Sequence, residues 1–303
     1  MRRRGFVAAL AGATAGVTVP ATGCLGSRGV TVLSAGSLAV VLDENLGPAF
    51  EDDTGTAYRG EYYGSKAVMR MVEERQKDPD VVVSADAGLL RRRLYDGHTD
   101  WDVVFGSNSV GITYNEGTRI GKRLRDGEPW YEVLRDADDG DVAISDPELD
   151  PLGYRAVQMF ELAEEKHGLD GFKNEMVSKA YEEPQEPQLL AGVRSGTRSA
   201  AVAYRNMAVD HDLPFHEPPD ELNFSNPELA DTYAEATYTT EDGDTVRGSP
   251  VLYNATVLDG ADRYGAGIGF VNYLLDSPDT LRRNGLSVPE IRYNGEVPEE
   301  VSA

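Results

Sequence analysis

Short, continuously apolar runs alternate along this chain with longer segments whose apolar residues recur every three or four positions, the pattern of buried strands interleaved with amphipathic helices. Residues 30–34 read as a strand, 38–50 as a helix and 57–63 as a strand. Residues 65–76 read as a helix with Val68, Met71, Val72 and the aliphatic stem of Arg75 on one face. Asp80-Val81-Val82-Val83 is a third strand, followed by a helix over 86–95 and a strand over 102–105. This order predicts an α/β fold with a largely parallel sheet. A second α/β block starts near Ser109, with a helix around 130–134, a strand over 142–145, a long helix from Gly153 to about His167, a helix over 188–194 and a strand over 200–203. After Asp220 the pattern changes to a hairpin, 237–239 and 245–247 flanking Asp242-Gly243, and a strand over 251–257 leads to a last helical region, 262–275. There is no internal repeat, and the acidic stretch 136–141 reads as a loop.

The N-terminus stands apart. Arg2-Arg3-Arg4-Gly5-Phe6-Val7 opens a short run rich in Ala, Gly and Thr that ends at Thr22-Gly23-Cys24. It resembles a twin-arginine export signal, residues 1–23, closed by a lipoprotein cleavage site, so Cys24 is expected to carry a lipid and 24–29 to form a lipidated linker. Cys24 is the only cysteine among 303 residues, which excludes an internal disulfide and a thiolate metal site. Loss of residues 1–23 removes three arginines and no acid, leaving 26 basic against 52 acidic residues, a net charge of −26. Acids spread along the whole chain, with only six lysines, suit concentrated salt and argue against nucleic acid as a partner. The remaining 280 residues exceed one ordinary core, so two domains are expected.

Two junctions carry the chemistry. Ser37 in Ala35-Gly36-Ser37-Leu38 and Asp150 in Leu149-Asp150-Pro151-Leu152-Gly153 stand where a strand ends and a helix begins, a place that presents unpaired N–H groups and a positive dipole end to an oxyanion. Asp150 before Pro151 is also a good helix N-cap, and Ser37 and Ser65 can be caps as well. By composition alone Glu186, in Glu182-Glu183-Pro184-Gln185-Glu186-Pro187, reads as a solvated loop acid.

The ordered segments Ala35 to Leu38, Gly64-Ser65, Asp80 to Asp86, Trp130 to Leu134, Asp150 to Arg155, Pro218 to Pro227 and Gly248 to Tyr253 resemble those of the archaeal tungstate/molybdate-binding proteins of ABC importers, over nearly all of the chain after Cys24. The resemblance implies a two-lobed periplasmic-binding-protein-like fold of type II, each lobe a mostly parallel sheet flanked by helices. Residues 30–108 with 254–303 would form one lobe and 109–253 the other, with the ligand cleft between. It further implies ligand contacts from Gly36, Ser37, Ser65, Asp150, Pro151, Leu152, a glutamate and Tyr204. Counting back from Tyr204 to Leu189-Leu190 places the glutamate at Glu186; Glu182 and Glu183 compete, because this chain is shorter than its relatives between Phe172 and Glu186. Two positions depart from the family: Ser34 stands where relatives often have His, and Leu152 where they often have Cys.

On this resemblance Asp150 and Glu186 bind the tungsten or molybdenum of the oxyanion directly. A carboxylate about 4 Å from a dianion costs on the order of 4 kcal/mol at an effective dielectric near 20. A centre that expands from four oxygen ligands to six turns that repulsion into coordination, which sulfur cannot do. Ser37, Ser65 and nearby N–H groups would hold the oxo groups. The implied protein is a monomeric, lipid-anchored receptor with an oxyanion ligand, a membrane permease with its ATPase as partners, and no cofactor of its own. Three other readings are weighed. A sulfate-like binder needs neutral donors alone. A ferric-ion binder would use Tyr62-Tyr63. A hydrolase would use Asp150 and Glu186 as an acid/base pair, but no nucleophile elbow, phosphate loop or metal motif supports catalysis, and His98, His167, His211 and His216 show no metal-ligand spacing.

Overall fold

The structure, a computed structural model, describes residues 29–302; the expected export segment, Cys24 and all but the last residue of the linker lie outside the described residues. The first four strands are β1 (Gly29–Ala35), β2 (Ala57–Tyr63), β3 (Val81–Ser84) and β4 (Trp101–Ser107). Then follow β5 (Val110–Tyr114), β6 (Val142–Ser145), β7 (Tyr181–Glu183), β8 (Ala200–Tyr204) and β9 (Phe215–His216). β10 (Thr237–Thr239) and β11 (Thr245–Arg247) make a hairpin, and β12 (Leu252–Val257) and β13 (Arg292–Gly295) complete the chain. These strands build two α/β lobes. The six-stranded sheet of the first has the order β13-β4-β12-β3-β1-β2, and the five-stranded sheet of the second has β7-β6-β8-β5-β9.

Both sheets are mixed rather than mostly parallel, because the strands that return across each lobe insert antiparallel among the parallel ones. In the first, β2 and β3 run parallel to β1, and the returning β12 inserts antiparallel between β3 and β4. In the second, β6 runs parallel to β7 and β8, while β5 is antiparallel to β8 and β9. Period-two alternation sends β1 side chains to opposite faces. Leu33 packs with Val82 of β3 and with Val68, Met69, Leu89 and Leu90 from the helices Ser65–Glu73 and Ala87–Leu94, whereas Val30 and Val32 join the larger cluster on the other face. The chain crosses between the sheets at Asn108-Ser109 and again at 248–251. Among the described residues no helix is long and apolar enough to cross a membrane.

Two expected helices differ from their observed form. The segment expected over 38–50 is a 3-10 turn Gly36–Leu38, a π-helical stretch Val41–Leu46 and an α-helix Gly47–Thr54. Pro48 has no N–H to donate, and Gly47 lies against the Tyr58 ring and the Leu42 carbonyl, so the regular ladder gives way there. The helix expected over 65–76 stops at Glu73, and Arg75 turns left-handed with φ 55°. Strands β5, β7, β9 and β13 and the helices Arg119–Arg125, Phe172–Lys179, Arg205–Asp210, Asp220–Asn223, Ala230–Tyr233 and Pro278–Arg283 were not expected.

Phe50 anchors the outer layer of the first lobe. It is 2% exposed and meets Phe270 edge-on at 5.4 Å and Tyr273 at 5.5 Å. Phe50→Ala should lower the free energy of unfolding by about 3–5 kcal/mol in a urea titration. A loss below about 1 kcal/mol would show that this layer does not pack as described.

Candidate functional site

The first wall of the site is the end of β1. Gly36 begins a turn that brings it against the other lobe: a Cβ there would lie 2.8 Å from Glu186 Oε2 and 2.8 Å from Pro187 Cδ. Ser37 follows, 2% exposed, its hydroxyl accepting from the Tyr253 hydroxyl at 3.1 Å and its carbonyl accepting from Asn206 Nδ2 at 2.6 Å. Asn206 Oδ1 accepts from Asn108 Nδ2 at 2.7 Å, which also donates to Tyr253, so Ser37 is tied to both crossings between the lobes. The second wall is the start of the helix Ser65–Glu73. Ser65 is fully buried and its hydroxyl oxygen accepts from the Ala85 N–H at 3.0 Å, which leaves its proton to give.

The third wall faces them from the second lobe. Asp150 caps the helix Pro151–His167, with Pro151 in its first turn, and Oδ1 accepts from the Leu152 N–H at 3.1 Å. Oδ2 accepts from the Ser145 hydroxyl at 2.5 Å. The cap and the approach to the other lobe coexist: a Cβ on Gly64 would stand 2.4 Å from the Leu149 carbonyl and 2.8 Å from Asp150 Cβ. The Ala67 N–H donates to that same carbonyl at 3.1 Å, and Lys66 pairs with Glu148 at 3.1 Å. The lobes are therefore closed on one another around the site.

Glu186 is not the solvated loop acid that composition alone suggests. Prolines at 184 and 187 stiffen its loop, a 3-10 turn Glu186–Gln188 carries it inward, and it is 1% exposed. Burial raises its pKa well above the usual carboxylate range, and the negative charge of Asp150 raises it further. The Ser37 hydroxyl and the N–H groups of Gly36 and Ser37 face it and pull the other way, yet neither Oε1 nor Oε2 accepts a hydrogen bond of good geometry. Burial likewise raises Asp150, against the Ser145 hydroxyl, the Leu152 N–H and the charge of Arg155. Glu182 is exposed and Glu183 partly so, both on β7; neither lies in this enclosure.

Tyr204, at the end of β8, is fully buried, and its ring lies 6.1 Å from that of Tyr253 at 67°. Burial holds its pKa well above the usual phenol range, Arg155 lowers it, and Tyr253, Asp150 and Glu186 raise it, which places those two carboxylates in its surroundings. All eight residues expected at the site are buried. By contrast Tyr62 and Tyr63 do not converge: Tyr62 bonds the Tyr58 hydroxyl, whereas Tyr63 donates to Glu61. His167 stacks on Tyr131 at 4.3 Å, far along the helix from Asp150. Sequence reasoning gave no role to Tyr253, Arg155 or Asp86, although each fell inside a recognised motif, and Asn108, Ser145 and Asn206 carried no signal at all.

Chemically, the enclosure joins neutral hydroxyl and N–H donors to two acids whose charges are uncompensated on the spot. Such a set offers both hydrogen-bond donors and carboxylate oxygens to whatever enters it. A family model described as bacterial extracellular solute-binding protein matches residues 30–286. The chain is 46% identical over 280 residues to an uncharacterised solute-binding protein of Halobacterium salinarum, covering 91% of each. It is 28% identical over 303 residues to the molybdate/tungstate-binding protein WtpA of Thermococcus kodakarensis, covering 89% of this chain and 85% of that one. Its fold is similar to that of the Azotobacter vinelandii periplasmic molybdate-binding protein, with a TM-score of 0.65 at 14% identity, over 86% of this chain and 100% of the other.

The raised acids set a pH dependence. A carboxyl whose folded pKa lies above its unfolded value binds more protons in the folded state, so stability falls as pH rises from the unfolded value through the folded one. The ligand-free protein should therefore melt at a higher temperature at pH 6 than at pH 8, and Glu186→Gln should remove much of that difference. Asp210, which burial raises to about 7, contributes in the same direction and is unaffected by that substitution. An unchanged pH profile in Glu186→Gln would mean that Glu186 is not held as described.

Proposed function

Since the chain belongs to the family of bacterial extracellular solute-binding proteins, we propose that it captures molybdate or tungstate and hands it to the permease and ATPase of an ABC importer. The observation that carries this reading is Glu186: two buried carboxylate oxygens that find no hydrogen bond of good geometry from the Ser37 hydroxyl and the Gly36 and Ser37 N–H groups facing them, set beside a second buried carboxylate. An arrangement so unfavourable in itself suits a ligand whose central atom accepts oxygen donors. Asp150 and Glu186 supply those donors and expand the bound metal to six-coordinate. The two oxygens of Asp150 keep lone pairs for this beside the bonds from Ser145 and Leu152. Gly36 and Ser37 with their N–H groups, and the hydroxyls of Ser37, Ser65 and Tyr204, hold the oxo groups. Pro151 and Leu152 present the N-terminal end of a 17-residue helix to the negative guest.

Sulfate has no place in this scheme, because its centre cannot relieve the repulsion from two acids. The protein is a receptor and not a catalyst, and the metal is cargo, so no resident cofactor is needed. The two lobes close on hinges at the two crossings, 108–109 and 248–251. Export through residues 1–23 and a lipid on Cys24 keep the monomer at the outer face of the membrane, and its acidic surface suits a salt-rich medium.

Calorimetry in concentrated salt tests the reading. Tungstate and molybdate should bind tightly and sulfate should not. Asp150→Asn and Glu186→Gln should each weaken tungstate by more than the roughly 10–100-fold typical of changes one shell further out, and relax discrimination against sulfate. Sulfate binding as strong as tungstate binding in the unaltered protein would defeat the coordination argument. Unchanged affinity in Glu186→Gln would remove Glu186 from the metal's ligands and leave the two-carboxylate scheme without its second donor.

A further inference from the structure

We propose that Arg155 is the positioning residue of the site: it bridges the closed lobes and fixes the Tyr204 hydroxyl as a donor to the bound oxyanion. The inference rests on the oxyanion reading and goes beyond it, because Arg155 is not among the expected ligand contacts. Arg155 lies in the second turn of the helix that Asp150 caps and is 1% exposed. Its Nη1 donates to the Tyr204 oxygen at 2.7 Å and to the Ala85 carbonyl at 3.1 Å, and its Nη2 donates to Asp86 Oδ2 at 3.2 Å. Ala85 and Asp86 belong to the first lobe, whereas Arg155 and Tyr204 belong to the second. The guanidinium thus spans the interface.

A guanidinium has donors only. The Tyr204 oxygen must accept from it, so the phenolic proton points to another partner, and among the described residues no acceptor receives it. Tyr204 shares its surroundings with Asp150 and Glu186, and the contact of its ring with Tyr253 restrains its tilt. An oxo group held there is the natural acceptor, and polarisation by Arg155 strengthens the donor.

Asp86 gives the clasp a fixed anchor. Its Oδ1 caps the helix Ala87–Leu94 through the Leu89 N–H at 2.8 Å, and Tyr154 donates to its Oδ2 at 2.7 Å. Arg155, Tyr154 and the Leu89 N–H outweigh the effect of burial and hold its carboxyl below the usual range, so the pair is ionic. A buried ion pair of this kind contributes little net closing force, because desolvation offsets most of the attraction. What it supplies is orientation. When the lobes part, the bonds to Asp86 and Ala85 break, and Tyr204 loses its fixed donor geometry. The hydroxyl is therefore aligned only in the closed state, and the oxyanion gains a contact that rewards closure.

The test is a double-substitution cycle in concentrated salt, read by tungstate calorimetry on unaltered protein, Arg155→Lys, Tyr204→Phe and the two combined. Lysine keeps the charge without the fork. Each single change should weaken tungstate about tenfold or more, as for a hydrogen bond to a charged group. The combined variant should bind within about threefold of Tyr204→Phe alone, far short of the product of the single losses. Losses that multiply would show that Arg155 does not act through Tyr204. The tyrosine difference absorbance on tungstate binding should vanish in Tyr204→Phe and shrink in Arg155→Lys; a purely structural role would leave it intact in Arg155→Lys. If Arg155→Lys does not fold, Asp86→Asn, which keeps Arg155 and loosens its anchor, takes its place in the same cycle with the same two readings. Unaltered protein that ignores tungstate would defeat the oxyanion reading itself, an outcome separate from a multiplying cycle.

Discussion

Two like charges enclosed together, Asp150 and Glu186, set the terms on which this molecule closes. Each is 1% exposed, and Arg155, whose charge bears on Asp150, is shared among Asp86, Tyr204 and the Ala85 carbonyl. In the ligand-free closed state the acids can only protonate or repel one another, and both responses work against closure at neutral pH. The neighbouring groups are neutral donors, Ser37, Ser65 and Tyr204, which stabilise an oxyanion without cancelling the acids. Closure is thus left to whatever guest can accept both kinds of contact at once.

Charge is handled differently outside. Most ion pairs lie at the surface, such as Lys77 with Glu61 and Arg125 with Asp126, where concentrated salt screens them within about 3 Å. The pairs that persist in such a medium are those withdrawn from it: Arg155 with Asp86 between the lobes, and the bidentate bond of Arg91 with the fully buried Asp102 inside the first. At molar ionic strength a charge entering the enclosure would sense its lining and little of the surface acids beyond it.

Much of this was legible in the sequence, for identifiable reasons. Strands β3 and β8 announce themselves because they are buried on both faces and read as apolar runs, β1 does so despite Thr31 and Ser34, and the long helix from Pro151 carries its cap and its proline in plain view. The short edge strands β7 and β9 bury little and leave no periodic trace. Glu186 was hidden for a related reason: its neighbours are exposed acids and prolines, and only the tertiary approach of Gly36 makes it interior. Asn108 and Asn206 act through contacts across 98 residues of chain, which no local pattern records.

Gly64 sets how closely the two lobes approach beside Asp150. The hydrogen it carries in place of a side chain lets the main chain at 64 sit almost against the Leu149 carbonyl, one residue before Asp150. The width of the enclosure along that line is therefore measured by backbone against backbone, with no rotamer able to swing aside. Dimensions fixed in this way change little with temperature or with neighbouring substitutions. The enclosure thus has a rigid backbone contact on one side and hydroxyls that can rotate on the other.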